Sequence, residues 1–262
     1  MSAAAERLEQ LLQLIRRLRD PRSGCPWDRE QDFSTIAPHT IEEAYELEDA
    51  IAGGDSNRIR DELGDLLFQV VFHSQMASER GWFDFAAVAA GVHEKLVRRH
   101  PHVFGDAAPS ATADLSRAWD QAKTDERAAA GSRGALAAVA VALPALSRAA
   151  KLARRAGAVG FDWFDEQAVR PKIVEELRET EEAIASGSAA KIEEELGDTL
   201  FALANWARLL RVDPESALRG ANRKFERRFV AMEALIAERG WTAAELNAAQ
   251  WDELWVKVKS AE

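Results

Sequence analysis

The sequence predicts an all-α protein built from two copies of one module, and three observations predict it. Apolar residues recur at helical spacing along most of the 262-residue chain. Alternating Val/Ile/Thr strand patterns are absent, tyrosine occurs once and proline only 8 times. A set of acidic, basic and aromatic features appears twice in the same order, about 130 residues apart.

Helices are expected in order over residues 6–19, 38–52, 57–79, 85–99, 115–129, 136–155, 171–185, 189–210, 214–238 and 243–259. Pro38 and Pro171 suit the first turn of a helix, where a missing N–H costs nothing, and so mark two starts. Helix 57–79 carries Ile59, Leu63, Leu66, Leu67, Val70 and Val71 on one side, and Phe68 and Phe72 extend that surface most of the way round. A helix so apolar belongs inside a bundle or at a subunit interface. Small, polar and Pro/Gly-rich residues at 105–113 and 131–134 read as connections. They divide the chain into modules 1–131 and 132–262.

The duplication is explicit in its spacing. Glu42-Glu43-x-x-Glu46 recurs as Glu175-Glu176-x-x-Glu179, and Glu62-Leu63-Gly64-Asp65 as Glu195-Leu196-Gly197-Asp198, both 133 residues on. Pro38 and Pro171 share that offset. Lys95-x-x-Arg98-Arg99 matches Lys224-x-x-Arg227-Arg228 at offset 129, and Trp119-x-x-x-Lys123 matches Trp255-x-x-x-Lys259 at offset 136.

The repeated carboxylates point to a cation. Residues three and four apart share a helix side, so Glu42, Glu43 and Glu46 face one way, as do Glu62 and Asp65. The short connection at Gly53-Gly54 makes the two helices antiparallel neighbours, and four or five carboxylates then converge on one space. Glu175, Glu176, Glu179, Glu195 and Asp198 do the same in the second copy. Such a cluster repels itself unless cations or protons neutralise it. Carboxylate ligands without His or Cys select hard ions, Mg²⁺ or Mn²⁺. The competing reading, solvated acidic helix faces, is weakened by identical internal spacing in two copies and by placement in the most apolar helix of each.

Each copy then supplies cations of its own: Lys95, Arg98 and Arg99, and Lys224, Arg227 and Arg228. Metal, Lys and Arg together form a set that binds polyphosphate and neutralises charge developing in phosphoryl transfer. Ordinary pairing with Glu94 or Glu226 is the alternative reading of these clusters. Trp119 and Trp255 are read either as base-stacking surfaces or as core. Other metal and phosphate chemistries lack their motifs: there is no G-x-x-x-x-G-K-[ST] loop, no E-x-x-H and no His-Asp pair. The run Arg178–Glu182 lacks the acid and glycine spacing of a Nudix box.

With 34 Lys plus Arg against 44 Asp plus Glu, the formal charge is −10. That repels nucleic acid and anionic membranes, so neither is expected as a partner. Cys25 is the sole cysteine, which excludes an intrachain disulfide and fits a reducing compartment. No stretch reaches the ~20 apolar residues of a membrane helix, and the N-terminus lacks a signal-peptide pattern. A soluble cytoplasmic protein is expected.

At these residues the sequence resembles the MazG family of nucleoside triphosphate pyrophosphohydrolases, whose E-E-x-x-E and E-x-x-D motifs it carries twice. Similar stretches include Gly24-Cys25-Pro26-Trp27-Asp28, Arg98-Arg99-His100-Pro101-His102-Val103-Phe104, Gly160-Phe161-Asp162-Trp163 and Asn222-x-Lys224-Phe225-Glu226-Arg227-Arg228-Phe229. The resemblance implies four-helix-type modules in tandem, a homodimer, and Mg²⁺-dependent cleavage of NTP or dNTP to NMP and pyrophosphate. It implies a main catalytic role for the C-terminal module, with metal ligands Glu176, Glu179, Glu195 and Asp198. It also implies nucleotide or triphosphate contacts from Lys172, Glu175, Glu176, Lys191, Glu194, Lys224, Arg227, Arg228 and Trp255. Glu43, Glu46, Glu62 and Asp65 form a secondary N-terminal site, although the basic helix of that copy departs from the pattern. In the mechanism expected, Glu175 orients or deprotonates water while Lys224 and Arg228 stabilise the leaving pyrophosphate. The alternative is a nucleotide-sensing dimeric scaffold that binds without turnover.

Overall fold

The computed structural model describes residues 2–105, 122, 126, 134–137, 139–162 and 166–261. Every regular element among the described residues is helical. The chain divides into two compact units, residues 1–122 and 123–262. The expected boundary at 131/132, the helix at 115–129 apart from residues 122 and 126, and the Trp119–Lys123 pair lie outside the described residues.

Unit one contains α1 (Ala3–Leu18), α2 (Pro26–Glu30), α3 (Phe33–Gly53), α4 (Ser56–Glu79), α5 (Phe85–Arg99) and α6 (Pro101–Phe104). The long helices start on side-chain caps. Asp32 accepts from the backbone N–H of Ser34 and Thr35, while Thr35 Oγ1 accepts from Asp32 N–H, closing a reciprocal box. Asp55 caps α4 in the simpler way. Between them Gly54 takes φ 71°, the left-handed conformation that lets α3 stop and α4 fold back against it. The core joins Ile15 of α1 and Ile36 of α3 to Val71, Phe72 and Met76 of α4, with Phe33, Phe68 and Phe85 packed around them.

Arg19 ties this core to its rim. Its guanidinium lies 5.1 Å over the Phe72 ring. It donates to both Glu79 oxygens and to the backbone carbonyls of Asp28 and Gln31. Phe72 is fully buried. Replacing it with alanine removes contacts on three helices, and a stability loss of about 3–5 kcal/mol is expected in chemical denaturation.

Unit two contains α7 (Ala145–Gly157), α8 (Glu166–Ser186), α9 (Ala189–Leu209), α10 (Pro214–Glu238), a 3₁₀ turn (Ala243–Glu245) and α11 (Ala248–Ser260). Helices α8 and α9 pack as a hairpin across Gly187, whose φ of 70° repeats that of Gly54. Helix α7 lies on α9; α10 packs on α11 and touches α7 and α9. The core cluster here is Met232 and Ile236 of α10 with Leu254 and Val258 of α11, surrounded by Trp241, Trp251 and Trp255. Arg208 of α9 donates to Asn205 and to Asp162, fastening the segment after α7 to the hairpin.

The duplication holds in three dimensions at the level of each hairpin. Helices α3 and α8 begin at residues 33 and 166, and α4 and α9 at 56 and 189, each 133 apart. The prolines do not start these helices, contrary to expectation: Pro38 and Pro171 sit inside α3 and α8. In α3 the Asp32 box has already nucleated the helix, so Pro38 removes one later bond instead. Two further corrections concern breaks. The helix expected over 136–155 begins only at Ala145, because Pro144 adopts ψ 140° ahead of it. The one expected over 243–259 is a 3₁₀ turn and then α11, restarted by an Asn247–Gln250 capping box. The short helices α2 and α6 were not foreseen; each begins at a proline.

Pro101 also explains where the copies diverge. Helix α5 ends at Arg99 because a residue preceding proline disfavours helical geometry, and His100 adopts φ −123°, ψ 57°. After the matching Arg228, Phe229 and Val230 continue the helix, so α10 runs for 25 residues against 15 in α5.

Candidate metal and nucleotide site

The α8–α9 hairpin brings three carboxylates together. One oxygen from each of Glu176, Glu179 and Glu195 lies within 4.8 Å of the others. Glu176 and Glu179 are one turn apart on α8, and Glu195 faces them from α9. Glu176 is buried, with only 7% of its side chain exposed. Beneath the cluster Thr180 Oγ1 donates to the Glu176 carbonyl at 2.9 Å and meets Thr199 Oγ1 at 3.2 Å. This buried hydroxyl pair, absent from the sequence expectations, pins the two acidic helices together. It had a sequence signal: Thr180 and Thr199 each follow a cluster glutamate by four residues.

The crowding is visible in the electrostatics. The Glu195 carboxyl is pushed above the usual glutamate range, first by desolvation and then by the charges of Glu179, Glu194, Asp198 and Glu176. Asp198 is exposed on α9 and stands outside the close set of three oxygens, although its charge is felt. Lys172 supplies a counter-charge. Its Nζ is 2.8 Å from Glu176 and 3.2 Å from Glu175, and the hydrogen bond to Glu176 in particular holds it protonated well above the usual lysine range. Glu175 itself is exposed.

Unit one presents a parallel set: Glu43, Glu62 and Asp65, again within 4.8 Å. Glu46 is exposed on α3 and lies outside the three. Desolvation, then Asp65, Glu46 and Glu62, raise the Glu43 carboxyl. The surroundings differ from those of the second set. Gln69, buried on α4, donates its amide to Glu43 at 3.5 Å and accepts from Thr40 Oγ1 at 3.4 Å. Thr40 Oγ1 also meets His73 Nε2 at 2.9 Å. In the second copy, 133 residues on, these positions are Ala202, Ile173 and Trp206, so the polar chain belongs to unit one alone. Asp65 and Asp198, placed by their apolar helices, were expected to be costly buried charges; both are exposed.

The basic and aromatic residues gather on α10 and α11. Arg228 lies 5.4 Å over the Trp255 ring, and Phe225 is 5.8 Å from the same ring. Phe225 also stacks on Phe229, and Phe229 on Trp251. Trp255 packs on the core cluster and is half-buried. Lys224 and Arg227 are exposed on α10, and Lys191 and Glu194 are exposed near the start of α9.

The donor set fits a hard divalent cation. All three donors are carboxylate oxygens on helices, their charge is only partly offset by Lys172 and Arg178, and neither His nor Cys joins them among the described residues. No helix among the described residues is long and apolar enough to cross a membrane.

An acidic helix hairpin thus occurs in each all-α unit, and in unit two the basic and aromatic helix α10 touches α9 of that hairpin. The chain matches the MazG nucleotide pyrophosphohydrolase domain twice, over residues 31–104 and 164–230, and it belongs to that family. It is 48% identical to a nucleoside triphosphate pyrophosphohydrolase of Escherichia coli K12 over 97% of this chain and 98% of that protein. It is 43% identical to the nucleoside triphosphate pyrophosphohydrolase/pyrophosphatase MazG of Thermotoga maritima, over 100% of this chain and 99% of that one. The protein YabN of Bacillus subtilis is 40% identical over 95% of this chain, which spans 51% of YabN.

Proposed function

We propose that this chain is a Mg²⁺-dependent nucleoside triphosphate pyrophosphohydrolase, cleaving NTP and dNTP between the α and β phosphates to NMP and pyrophosphate. The observation that carries the reading is the convergence of Glu176, Glu179 and Glu195 on one point of a helix hairpin in a MazG-family chain. Residues 132–262 form the main catalytic module and 1–131 the secondary one.

Each residue has a role in this reading. Glu176, Glu179, Glu195 and Asp198 hold the cation; Asp198 completes the set by a rotamer change from its exposed position on α9. A bound divalent cation neutralises phosphate oxygens and acidifies water, and Mn²⁺ has the same preference for oxygen ligands. Glu175 orients the attacking water and accepts its proton. Lys224 and Arg228 stabilise charge on the departing pyrophosphate. Lys172, Lys191, Glu194 and Arg227 position the nucleotide, and the accessible face of Trp255 stacks on the base. Glu43, Glu46, Glu62 and Asp65 form a second cation site without an equally long basic helix beside it.

The active form is a homodimer. Leu177 of α8 and Leu196, Leu200 and Leu203 of α9 are exposed apolar residues on one hairpin, and Leu63, Leu67 and Val70 repeat the feature on α4. Apolar surface of this extent marks an interface. Sedimentation at micromolar concentration is expected to give a dimer; a monomer contradicts it. A coupled assay for pyrophosphate release from an NTP mixture tests the function itself. Nucleotide binding without release would favour a sensing scaffold.

A further inference from the structure

We propose that Lys172 is the resident counter-cation of the C-terminal acidic set, and that metal and nucleotide load together because loading moves Lys172 from Glu176 to the triphosphate. The inference rests on the cation-binding reading of the Glu176, Glu179 and Glu195 cluster and deepens it.

Lys172 Nζ sits 2.8 Å from Oε1 of Glu176, the most buried carboxylate of that cluster and one of its three converging oxygen donors. A divalent ion bound at Oε1 of Glu176, at the usual 2.0–2.6 Å, leaves the ammonium within roughly 5.5 Å of it, and one at the other oxygen within roughly 8 Å. Two like charges so close in a partly desolvated pocket repel, so bare metal binds against Lys172. The lysine is 37% exposed and springs from the turn before the acidic residues, so it has room to swing outward. An incoming triphosphate offers it a replacement partner of higher charge. Metal alone therefore costs the Lys172–Glu176 bond and leaves the lysine only its 3.2 Å contact with Glu175, whereas metal with nucleotide supplies a replacement.

Unit one lacks this device, which is the second observation. The residue 133 positions earlier is His39, and its Nδ1 meets Glu42 at 3.1 Å and not Glu43. Glu43 is held instead by the neutral amide of Gln69. Among the described residues the N-terminal set has no ammonium to displace, and it takes bare metal more readily than the C-terminal set.

Mn²⁺ titration of the full-length protein, with free Mn²⁺ read by electron paramagnetic resonance, tests the exchange. In a Glu62→Gln/Asp65→Asn background only the C-terminal set reports. There Lys172→Met is expected to tighten Mn²⁺ alone roughly fivefold, the scale of one charge-assisted contact, and Lys172→Arg to leave it near wild type. Adding α,β-methylene ATP as a non-cleavable probe strengthens Mn²⁺ binding in the parent background and loses most of that effect in Lys172→Met. Conversely, in a Glu195→Gln background, His39→Lys is expected to weaken Mn²⁺ binding at the N-terminal set. Thermal melting verifies that each variant is folded. Mn²⁺ binding that is equal or weaker in Lys172→Met overturns the exchange while leaving the metal site standing. No Mn²⁺ bound at the C-terminal set in either protein overturns both.

Discussion

Replacing Glu195 with alanine lowers pyrophosphate release by roughly a hundredfold or more, equivalent to about 3 kcal/mol of transition-state stabilisation. Glu195 is the only member of the converging trio contributed by α9, so its loss opens one whole side of the site. Glu176 and Glu179 share α8, and the remaining α9 carboxylate, Asp198, is exposed and stands outside the close set. Glu62→Ala, the equivalent change in unit one, reduces release by only a small fraction of that. Helix α5 stops at Arg99, ahead of Pro101, so unit one lacks the longer helix that carries the basic residues in unit two. Steady-state pyrophosphate release by the two variants, each checked by melting, decides this. Equal losses would mean two working sites, and loss only from Glu62→Ala would place catalysis in unit one.

Chelation abolishes turnover altogether, and Mg²⁺ restores it. Three converging carboxylates repel a polyphosphate unless a cation lies between them, so the site needs the ion to hold its substrate. Stability should follow. The carboxyls of Glu43 and Glu195 are raised in the folded protein, so at neutral pH their ionised forms subtract stability, which returns as pH falls through the raised values. A bound cation reverses that penalty at neutral pH and binds only the folded state, so Mg²⁺ raises the melting temperature and EDTA lowers it. Turnover persisting in verified metal-free buffer would contradict the mechanism.

The sequence exposed the helical class, the duplication and the acidic hairpins because each leaves a periodic trace. A 133-residue offset between paired motifs survives into the paired starts of α3 and α8 and of α4 and α9. What it hid is set by contacts that period cannot encode. Pro38 looked like a helix start because proline suits first turns, yet the Asp32–Thr35 box opens six residues upstream and takes precedence. Asp65 and Asp198 looked buried because their helices are apolar, but each falls on the exposed side. Gln69 and His73 carried no motif: they matter through a hydrogen-bonded chain spanning α3 and α4, formed only when the hairpin closes. The Lys172–Glu176 pair was legible as an i, i+4 spacing. That His39 would turn to Glu42 instead was not, since its ring lacks the reach of a lysine.

Phosphorus NMR of a single nucleoside triphosphate incubated with the wild-type protein and Mg²⁺ tests the central claim most directly. Cleavage between the α and β phosphates gives a nucleoside monophosphate resonance and one for inorganic pyrophosphate, in equal amounts, and both vanish in Glu195→Ala. Nucleoside diphosphate with orthophosphate, or monophosphate and pyrophosphate undiminished in Glu195→Ala, would contradict it.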